Sequence, residues 1–208
     1  MIRLAKPIAF VLCAAIGLVA AAGASADQKK KPAKAADPVA DKSKPDAGKP
    51  SLVASYGDWG VYQTQAAKGR VCYTLAQPKE RAPADLKRDP AYAFISDRPG
   101  EGVRHEISFI MGFDVASSPA DAPDPKKKGV DKGAMATVGD QTFELLAKTS
   151  NLWVKNPAKE GQLVDEMRKG AKLQVKAASK KGNMTIDTYS LVGFSQALDR
   201  VQKDCPSN

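Results

Sequence analysis

The chain has few of the residues from which most enzyme active sites are built. It contains 208 residues but only one histidine and three cysteines. One histidine excludes a metal site made of several histidines, and catalysis by histidine would depend on His105 alone. No GxSxG, Ser-x-x-Lys, HExxH, GxGxxG or P-loop pattern occurs in the sequence. We therefore predict a non-enzymatic protein that uses no cofactor and no metal ion.

The sequence also has no excess of glycine and proline, and the predicted folded part has no strong net charge. The 16 glycines and 14 prolines are close to average use, which excludes a collagen-like or wholly disordered chain. The length suits one domain with an appendage. Of the net charge of +9, residues 51–208 contribute +4, with 23 basic and 19 acidic side chains. Because no basic stripe is interleaved with stacking aromatic residues, we expect no nucleic-acid partner.

Residues 1–26 have the pattern of a signal peptide. A short positive start precedes an apolar run at 8–22, and a small-x-small site ends at Ala26. We predict cleavage after Ala26, which places the mature protein in the periplasm or outside the cell. The apolar run is short for a bilayer span, so we expect no membrane span after the signal is removed; an uncleaved anchor is the alternative. Cys13 follows Leu12 and not a small residue, which argues against lipidation.

Residues 27–50 have the composition of a disordered tail. They contain no aromatic residue, and seven lysines accompany four aspartates. Such a segment buries too little apolar surface to offset the entropy lost on ordering. The tail either attracts anionic envelope material or serves as a solubilising leader. Together with a second lysine run, it gives a candidate binding surface. That surface consists of Lys29, Lys30, Lys31, Lys126, Lys127 and Lys128.

Residues 51–208 have the pattern of a mainly β domain. About eight or nine short runs, separated by turn signals, predict an antiparallel β-sandwich or barrel. In the run 103–111 alternate residues are apolar, and His105 lies on this apolar face, which predicts a half-buried structural histidine. Helical spacing predicts a short helix near 161–169 and a C-terminal helix near 194–204.

Two cysteines, Cys72 and Cys205, remain after removal of the signal peptide. In an oxidising compartment such an isolated pair usually forms a disulfide, and here it would join residues 133 positions apart. The alternative is two free thiols, one of them nucleophilic. The disulfide would attach the last helix to a sheet. The predicted core is formed by Trp59, Phe194, Leu198 and Val201.

Several polar and aromatic residues have two interpretations. Trp59 and Trp153 lie in predicted strands, where they either pack in the domain or serve as aromatic anchors for a glycan or a protein. Arg104, Glu106 and Ser108 alternate with the apolar residues of their strand. We interpret these three as ordinary solvent-exposed surface. The sequence Gly57-Asp58 before Trp59 is interpreted as a bend within one strand.

Several short motifs resemble those of a known family. They are Gly57-Asp58-Trp59, the strand from Cys72-Tyr73 to Gln77, Met167 to Gly170, Tyr189 to Phe194, Ala197-Leu198 and Cys205. Over residues 51–206 they resemble the invasion-associated locus B family of alphaproteobacterial envelope proteins. The resemblance implies an exported immunoglobulin-like β-sandwich with no established enzymatic activity. The family is named for an association with host-cell invasion, so the resemblance also implies a role in invasion or envelope interaction.

Three functions are compatible with these residues. We favour a binding module whose partner is an unknown protein or an anionic envelope component. The first alternative is a periplasmic cell-wall or glycan hydrolase that uses a carboxylate pair. The second is an envelope chaperone or assembly factor, which would pair a partner strand with an exposed sheet edge.

Overall fold

The computed structural model of the chain describes residues 48–116 and 133–206. The predicted signal peptide with its cleavage site at Ala26, most of the tail, and both lysine runs of the candidate binding surface lie outside these residues. The described part consists of eleven strands, two α-helices and short 3-10 turns. The strands are β1 Ser51–Tyr56, β2 Trp59–Ala66, β3 Gly69–Ala76, β4 Glu80–Ala82, β5 Tyr92–Arg98, β6 Val103–Ile110, β7 Met135–Val138, β8 Gln141–Lys148, β9 Asn151–Val154, β10 Lys172–Ala178 and β11 Met184–Ser190. The helices are α1 Glu160–Lys169 and α2 Phe194–Asp204.

All strand pairs are antiparallel and join into one continuous sheet. Its order is β1-β2-β3-β5-β6-β9-β8-β7-β10-β11-β4. Strand β8 connects the two halves, because Gln141 to Glu144 pair with β7 whereas Leu145 to Lys148 pair with β9. A strand that changes partners in this way makes a corner, which lets one sheet fold over a common core. The prediction of a mainly β antiparallel fold of sandwich or barrel type with two short helices is confirmed.

The first predicted strand is instead a hairpin of β1 and β2. Gly57 has φ +54°, and a Cβ there would lie 2.5 Å from the carbonyl oxygen of Val192. The backbone N–H of Asp58 donates to that same oxygen at 3.1 Å. The Gly-Asp pair therefore reverses the chain instead of bending one strand. The short strand β4 pairs with β11.

The core lies between the inward faces of the two halves and the helices. The Trp59 ring is fully buried and meets the Phe194 ring edge to face, with centroids 4.9 Å apart. The indole Nε1–H of Trp59 donates to the carbonyl oxygen of Ser190 at 2.9 Å, so this polar group is satisfied in the interior. Leu198 and Val201 on the same helix are also fully buried. Helix α2 thus closes the core through the apolar stripe that its sequence carries.

Candidate functional site

The outer face of one half of the sheet carries a group of aromatic side chains. Val61, Cys72 and Ile95 point into the core, and strand alternation turns their neighbours outward. We name these outward residues the aromatic surface. It consists of Tyr62, Tyr73, Tyr92, Phe94 and Trp153, all partly exposed.

The rings of the aromatic surface form a connected row across three strands. Tyr62 and Tyr73 are cross-strand partners whose rings are stacked, with centroids 5.4 Å apart and planes within 10°. Phe94 continues the row at 5.7 Å from Tyr73, and Tyr92 lies 6.0 Å from Phe94. Partial burial and then the neighbouring Tyr62 raise the pKa of Tyr73. The stacking covers one face of each of the two tyrosine rings.

Both apolar and polar side chains surround this row. Leu75, Ile110, Ser96 and Ser108 lie on the same face, and Leu146, the cross-strand partner of Trp153, has 55 % of its surface exposed. Charged groups lie further out: Arg98, beyond Phe94 on β5, forms a two-pronged ion pair with Glu106 at 2.9 and 3.1 Å, and Lys155 pairs with Glu144 at 2.8 Å. A neutral aromatic patch with charges at its margin has the composition of the centre of a protein interface.

A cavity of about 400 Å³ lies at the Tyr62 end of the row. Tyr62 and Leu75 line it together with residues of the β1–β2 turn. A Cβ at Gly60 would lie 2.8 Å from the Tyr62 ring, so glycine at this position leaves space for the ring to lie over the strand. Lys79 forms an ion pair with Asp58 in the same lining, and this contact lowers the pKa of Asp58. The cavity extends the aromatic surface as a recess with a polar wall.

The two tryptophans have different places. Trp59 is in the core and is not an exposed anchor, whereas Trp153 belongs to the aromatic surface. The sequence pattern could not separate them, because both lie in strands with alternating burial. The strand pairing separates them, since Trp153 aligns with the outward residues Ser108 and Leu146.

The apolar face predicted for 103–111 is correct for only part of the run. Ile107, Phe109 and Met111 are fully buried, but Val103 and His105 are only partly so. The register between β5 and β6 shifts in this region, and His105 adopts φ +52°. A bulge of this kind interrupts the alternation of the strand. The His105 ring lies 2.7 Å from the amide nitrogen of Gln202.

Arg104 belongs to an ionic cluster around a buried carboxylate. The prediction that it is ordinary solvent-exposed surface is therefore wrong. Its Nη1 donates to the carboxylate of Asp97 at 2.7 Å and to the carbonyl oxygen of Cys205 at 2.6 Å. Asp97 is fully buried and also accepts from the backbone N–H of His105 at 2.7 Å. Asp97 is the cross-strand partner of Cys72, and Cys72 forms a disulfide with Cys205 with Cα atoms 5.9 Å apart. The end of helix α2 is thus tied to the sheet covalently and by ionic contacts.

A second buried carboxylate, Asp187, was missed by the sequence analysis. Its side chain is fully buried and binds two guanidinium groups: Arg88 donates to it at 2.9 Å and Arg81 at 3.2 Å. Arg81 also donates to the carbonyl oxygens of Asp89 and Met111. The only available signal was an aspartate between Thr185 and Tyr189 on one face of β11. Its partners lie about a hundred positions earlier, so spacing alone could not identify them.

The arrangement of carboxylates gives little support to the hydrolase alternative. Glu160 and Glu106 lie close enough to influence each other, and burial is the main cause that raises the pKa of Glu160. However, Glu160 accepts from the backbone N–H of Ile107, and Glu106 is held by Arg98. Neither carboxylate lines the cavity beside Tyr62 and Leu75. Residues 48–116 and 133–206 contain no group of three or more side chains suited to hold a metal ion.

No helix in the described part of the chain is long and apolar enough to cross a membrane.

The chain was compared with protein families, curated proteins and solved structures. Neither a protein-family model nor a curated protein matches the chain. Among solved structures, the chain is similar to the crystal structure of invasion associated protein B from Bartonella henselae, at 17 % identity and a TM-score of 0.47. The likeness covers 74 % of this chain and 97 % of that chain, and we draw no function from it.

Proposed function

We propose that this chain is an exported, non-catalytic binding protein of the bacterial envelope, and that its aromatic surface binds a protein partner. The observation that carries the proposal is the row of aromatic rings on an outer sheet face. Tyrosine, tryptophan and phenylalanine are enriched in interface centres, and charged residues are depleted there. Truncation of such residues commonly costs most of the binding energy at an interface.

The geometry of the rings favours a protein over a glycan as the partner. A sugar ring packs on the open face of an aromatic ring, but Tyr62 and Tyr73 stack on each other. The partly exposed aromatic side chains and the exposed side chain of Leu146 form an extended surface with both apolar groups and hydroxyl groups instead. Apolar side chains of a partner would pack against the rings, and its polar backbone groups would bond to the tyrosine hydroxyls.

Export is supported by the sequence of residues 1–26 and by the pairing of Cys72 with Cys205. A disulfide of this kind is typical of proteins outside the cytosol. In the proposal the lysine-rich tail, including Lys29, Lys30 and Lys31, holds the protein near anionic envelope material. Association through the tail should fall with rising salt, because exposed charges are screened. Deletion of 27–50 should remove this salt-dependent part and leave binding through the aromatic surface.

The decisive experiment is site-specific photo-crosslinking in intact envelopes. A photo-reactive phenylalanine is placed at Leu146, beside Trp153, and in a control variant at Ile186, an exposed apolar residue of β11 in the other half of the sheet. We expect one stoichiometric protein adduct at position 146 and none at position 186. The additional substitution Tyr73→Ala should reduce the adduct by at least about tenfold while the unfolding midpoint stays above the working temperature.

Other outcomes of the same experiment would overturn the proposal. An adduct between two copies of this chain would replace the partner by a homodimer. Equal adducts at positions 146 and 186 would show unspecific contact. A glycan adduct, or no adduct at 146, would remove the aromatic surface from protein binding.

A second candidate function is assembly through strand pairing. Strand β1 forms one edge of the sheet and, among the described strands, pairs only with β2; Leu52 on it has 56 % of its surface exposed. A partner strand added there would act through β-augmentation. The register shift between Leu52 and Ala54 opposes this function, because a bulge interrupts the row of free backbone groups. A photo-reactive residue at Leu52 would distinguish it from binding at the aromatic surface.

A further inference from the structure

A cavity of about 400 Å³ lies beside the turn between β10 and β11, away from the aromatic surface, with which it shares no lining residue. Its lining combines four cationic side chains and one carboxylate with polar and apolar groups. We name it the cationic cavity. It is lined by Leu86, Lys87, Arg88, Phe113, Asp114, Ser179, Lys180, Lys181, Asn183 and Thr185.

Arg88 is the buried cation of this cavity. Only 5 % of its side chain is exposed. Nη1 donates to Asp187 at 2.9 Å and Nη2 to the carbonyl oxygen of Pro83 at 3.0 Å, whereas Nε has no hydrogen-bond partner among the described residues. A buried donor without an acceptor is unfavourable, and a charged donor more so. Nε is closed to solvent, so Arg88 acts on the cavity through its positive charge and not through a free donor.

Among the described residues, the positive charges around Arg88 outnumber the negative ones. Arg81 and Arg88 share the single carboxylate of Asp187, which leaves one positive charge in excess at the buried end of the cavity. At the outer end, Lys180 and Asp114 are 3.9 Å apart and both well exposed, so their pairing is weak. Lys87 and Lys181 add two further exposed cations. The surplus of positive charge suits a ligand with two negative charges.

The neutral part of the lining selects the rest of the ligand. Leu86 and Phe113 provide apolar contacts, which a fully hydrated inorganic ion would not use. Asn183 and Ser179 provide polar groups beside the lysines. Arginine and lysine together are the usual recognition groups for phosphate.

We propose that the cationic cavity binds a phosphomonoester that carries a small apolar group, with the phosphate held by the exposed lysines of the lining in the field of Arg88 and the apolar group against Phe113. Such a ligand could come from a phosphatidic-acid type of lipid or from a free organic phosphate. This site is independent of the binding function proposed for the aromatic surface.

The test is a titration of the isotope-labelled protein, followed by NMR. The probes are dihexanoyl phosphatidic acid below its critical micelle concentration, hexyl phosphate and inorganic phosphate, all at low salt. We expect saturable binding and a shift of the Arg88 side-chain signal. Strongest binding by the lipid would indicate a lipid source, and equal binding by hexyl phosphate would indicate a free organic phosphate.

Matched variants test whether the cavity is responsible. The double substitution Lys180→Gln and Lys181→Gln removes two exposed cations of the lining and should weaken binding by at least about tenfold. Lys172→Gln with Lys176→Gln removes the same charge from exposed positions of β10 outside the lining and should change binding less than about twofold. Equal losses in the two variants, absence of saturable binding, an unmoved Arg88 signal, or inorganic phosphate binding as tightly as the lipid would each overturn the proposal.

Discussion

The charges of the two buried carboxylates, Asp97 and Asp187, are neutralised by different arrangements of arginine. Each is fully buried on an inward-facing strand position and is neutralised by arginine. Asp97 lies beside the disulfide, and its partner Arg104 also binds the backbone of Cys205. Asp187 has no covalent link nearby and gathers two guanidinium groups.

The difference concerns how much each region depends on charge. Near Asp97, the disulfide holds the chain together even if an ionic contact is lost. Near Asp187, the two guanidinium groups share one carboxylate, and both also donate to backbone carbonyl oxygens. The ionic contacts at Asp97 therefore support a covalent link, whereas those at Asp187 act without one. Each cluster leaves one buried guanidinium nitrogen without a hydrogen-bond partner among the described residues, Nη2 of Arg104 and Nε of Arg88.

The largest expected effect comes from removing the covalent link. Substitution of both Cys72 and Cys205 by alanine should lower the free energy of unfolding by about 4–5 kcal/mol, because the loop spans 133 residues. Urea unfolding of the double variant and of the wild type measures this loss. The wild type under strong reductant is the matched control and should approach the variant. A loss below about 1 kcal/mol would show that the ionic contacts of Asp97 hold the helix alone.

The next effect compares the two carboxylates directly. Asp187→Asn leaves two guanidinium groups without their anion and should cost about 3–5 kcal/mol of unfolding free energy. Asp97→Asn keeps an oxygen that can accept the N–H of His105, and Arg104 keeps the Cys205 carbonyl, so we expect about 1–3 kcal/mol.

The control for this pair is Asp199→Asn, since Asp199 forms an exposed ion pair with Arg168. It should cost less than about 1 kcal/mol. If Asp97→Asn cost as much as Asp187→Asn, the comparison drawn between the two clusters would be wrong.

The sequence predicted those features that depend on neighbouring residues. Alternation identified Ile107 and Phe109 as core, and helical spacing identified the buried stripe that contains Leu198 and Val201. Turn residues were less reliable, because glycine and aspartate before Trp59 fit both a bend and a hairpin. The hairpin is selected by contact with Val192, which lies far along the chain.

The candidate sites were harder to predict because they are made by strand order. Tyr62 and Phe94 join one surface only because β3 lies between their strands. Arg88 and Asp187 are 99 positions apart, and their pairing follows from β4 lying next to β11. A period of two shows which residues share a face of one strand, but it does not show which strands are neighbours.

High pH should lower the free energy of unfolding through the titration of Tyr189, which lies near Asp187. Burial, and then the charge of Asp187, raises the pKa of Tyr189 far above its ordinary value of 10.0. Since the folded pKa exceeds the unfolded one, this stability is fully present below pH 10 and falls as pH rises further. The expected slope is about 1.4 kcal/mol per pH unit for this one group. Urea unfolding between pH 9 and 11 measures the slope, and Tyr189→Phe should reduce it. An unchanged slope in that variant would show that other groups cause the alkaline loss.

The smallest effect concerns the same tyrosine at neutral pH. The Tyr189 hydroxyl is buried and has no hydrogen-bond partner among the described residues, while its ring packs 6.3 Å from that of Phe109. Tyr189→Phe keeps the ring and removes the unsatisfied hydroxyl, so it should be neutral or stabilise by up to about 1 kcal/mol. Tyr189→Leu, which removes the ring as well, should destabilise the protein. A clear loss of stability in Tyr189→Phe would mean that the hydroxyl is bound in solution, and the Asp187 side would then be better satisfied than its geometry indicates.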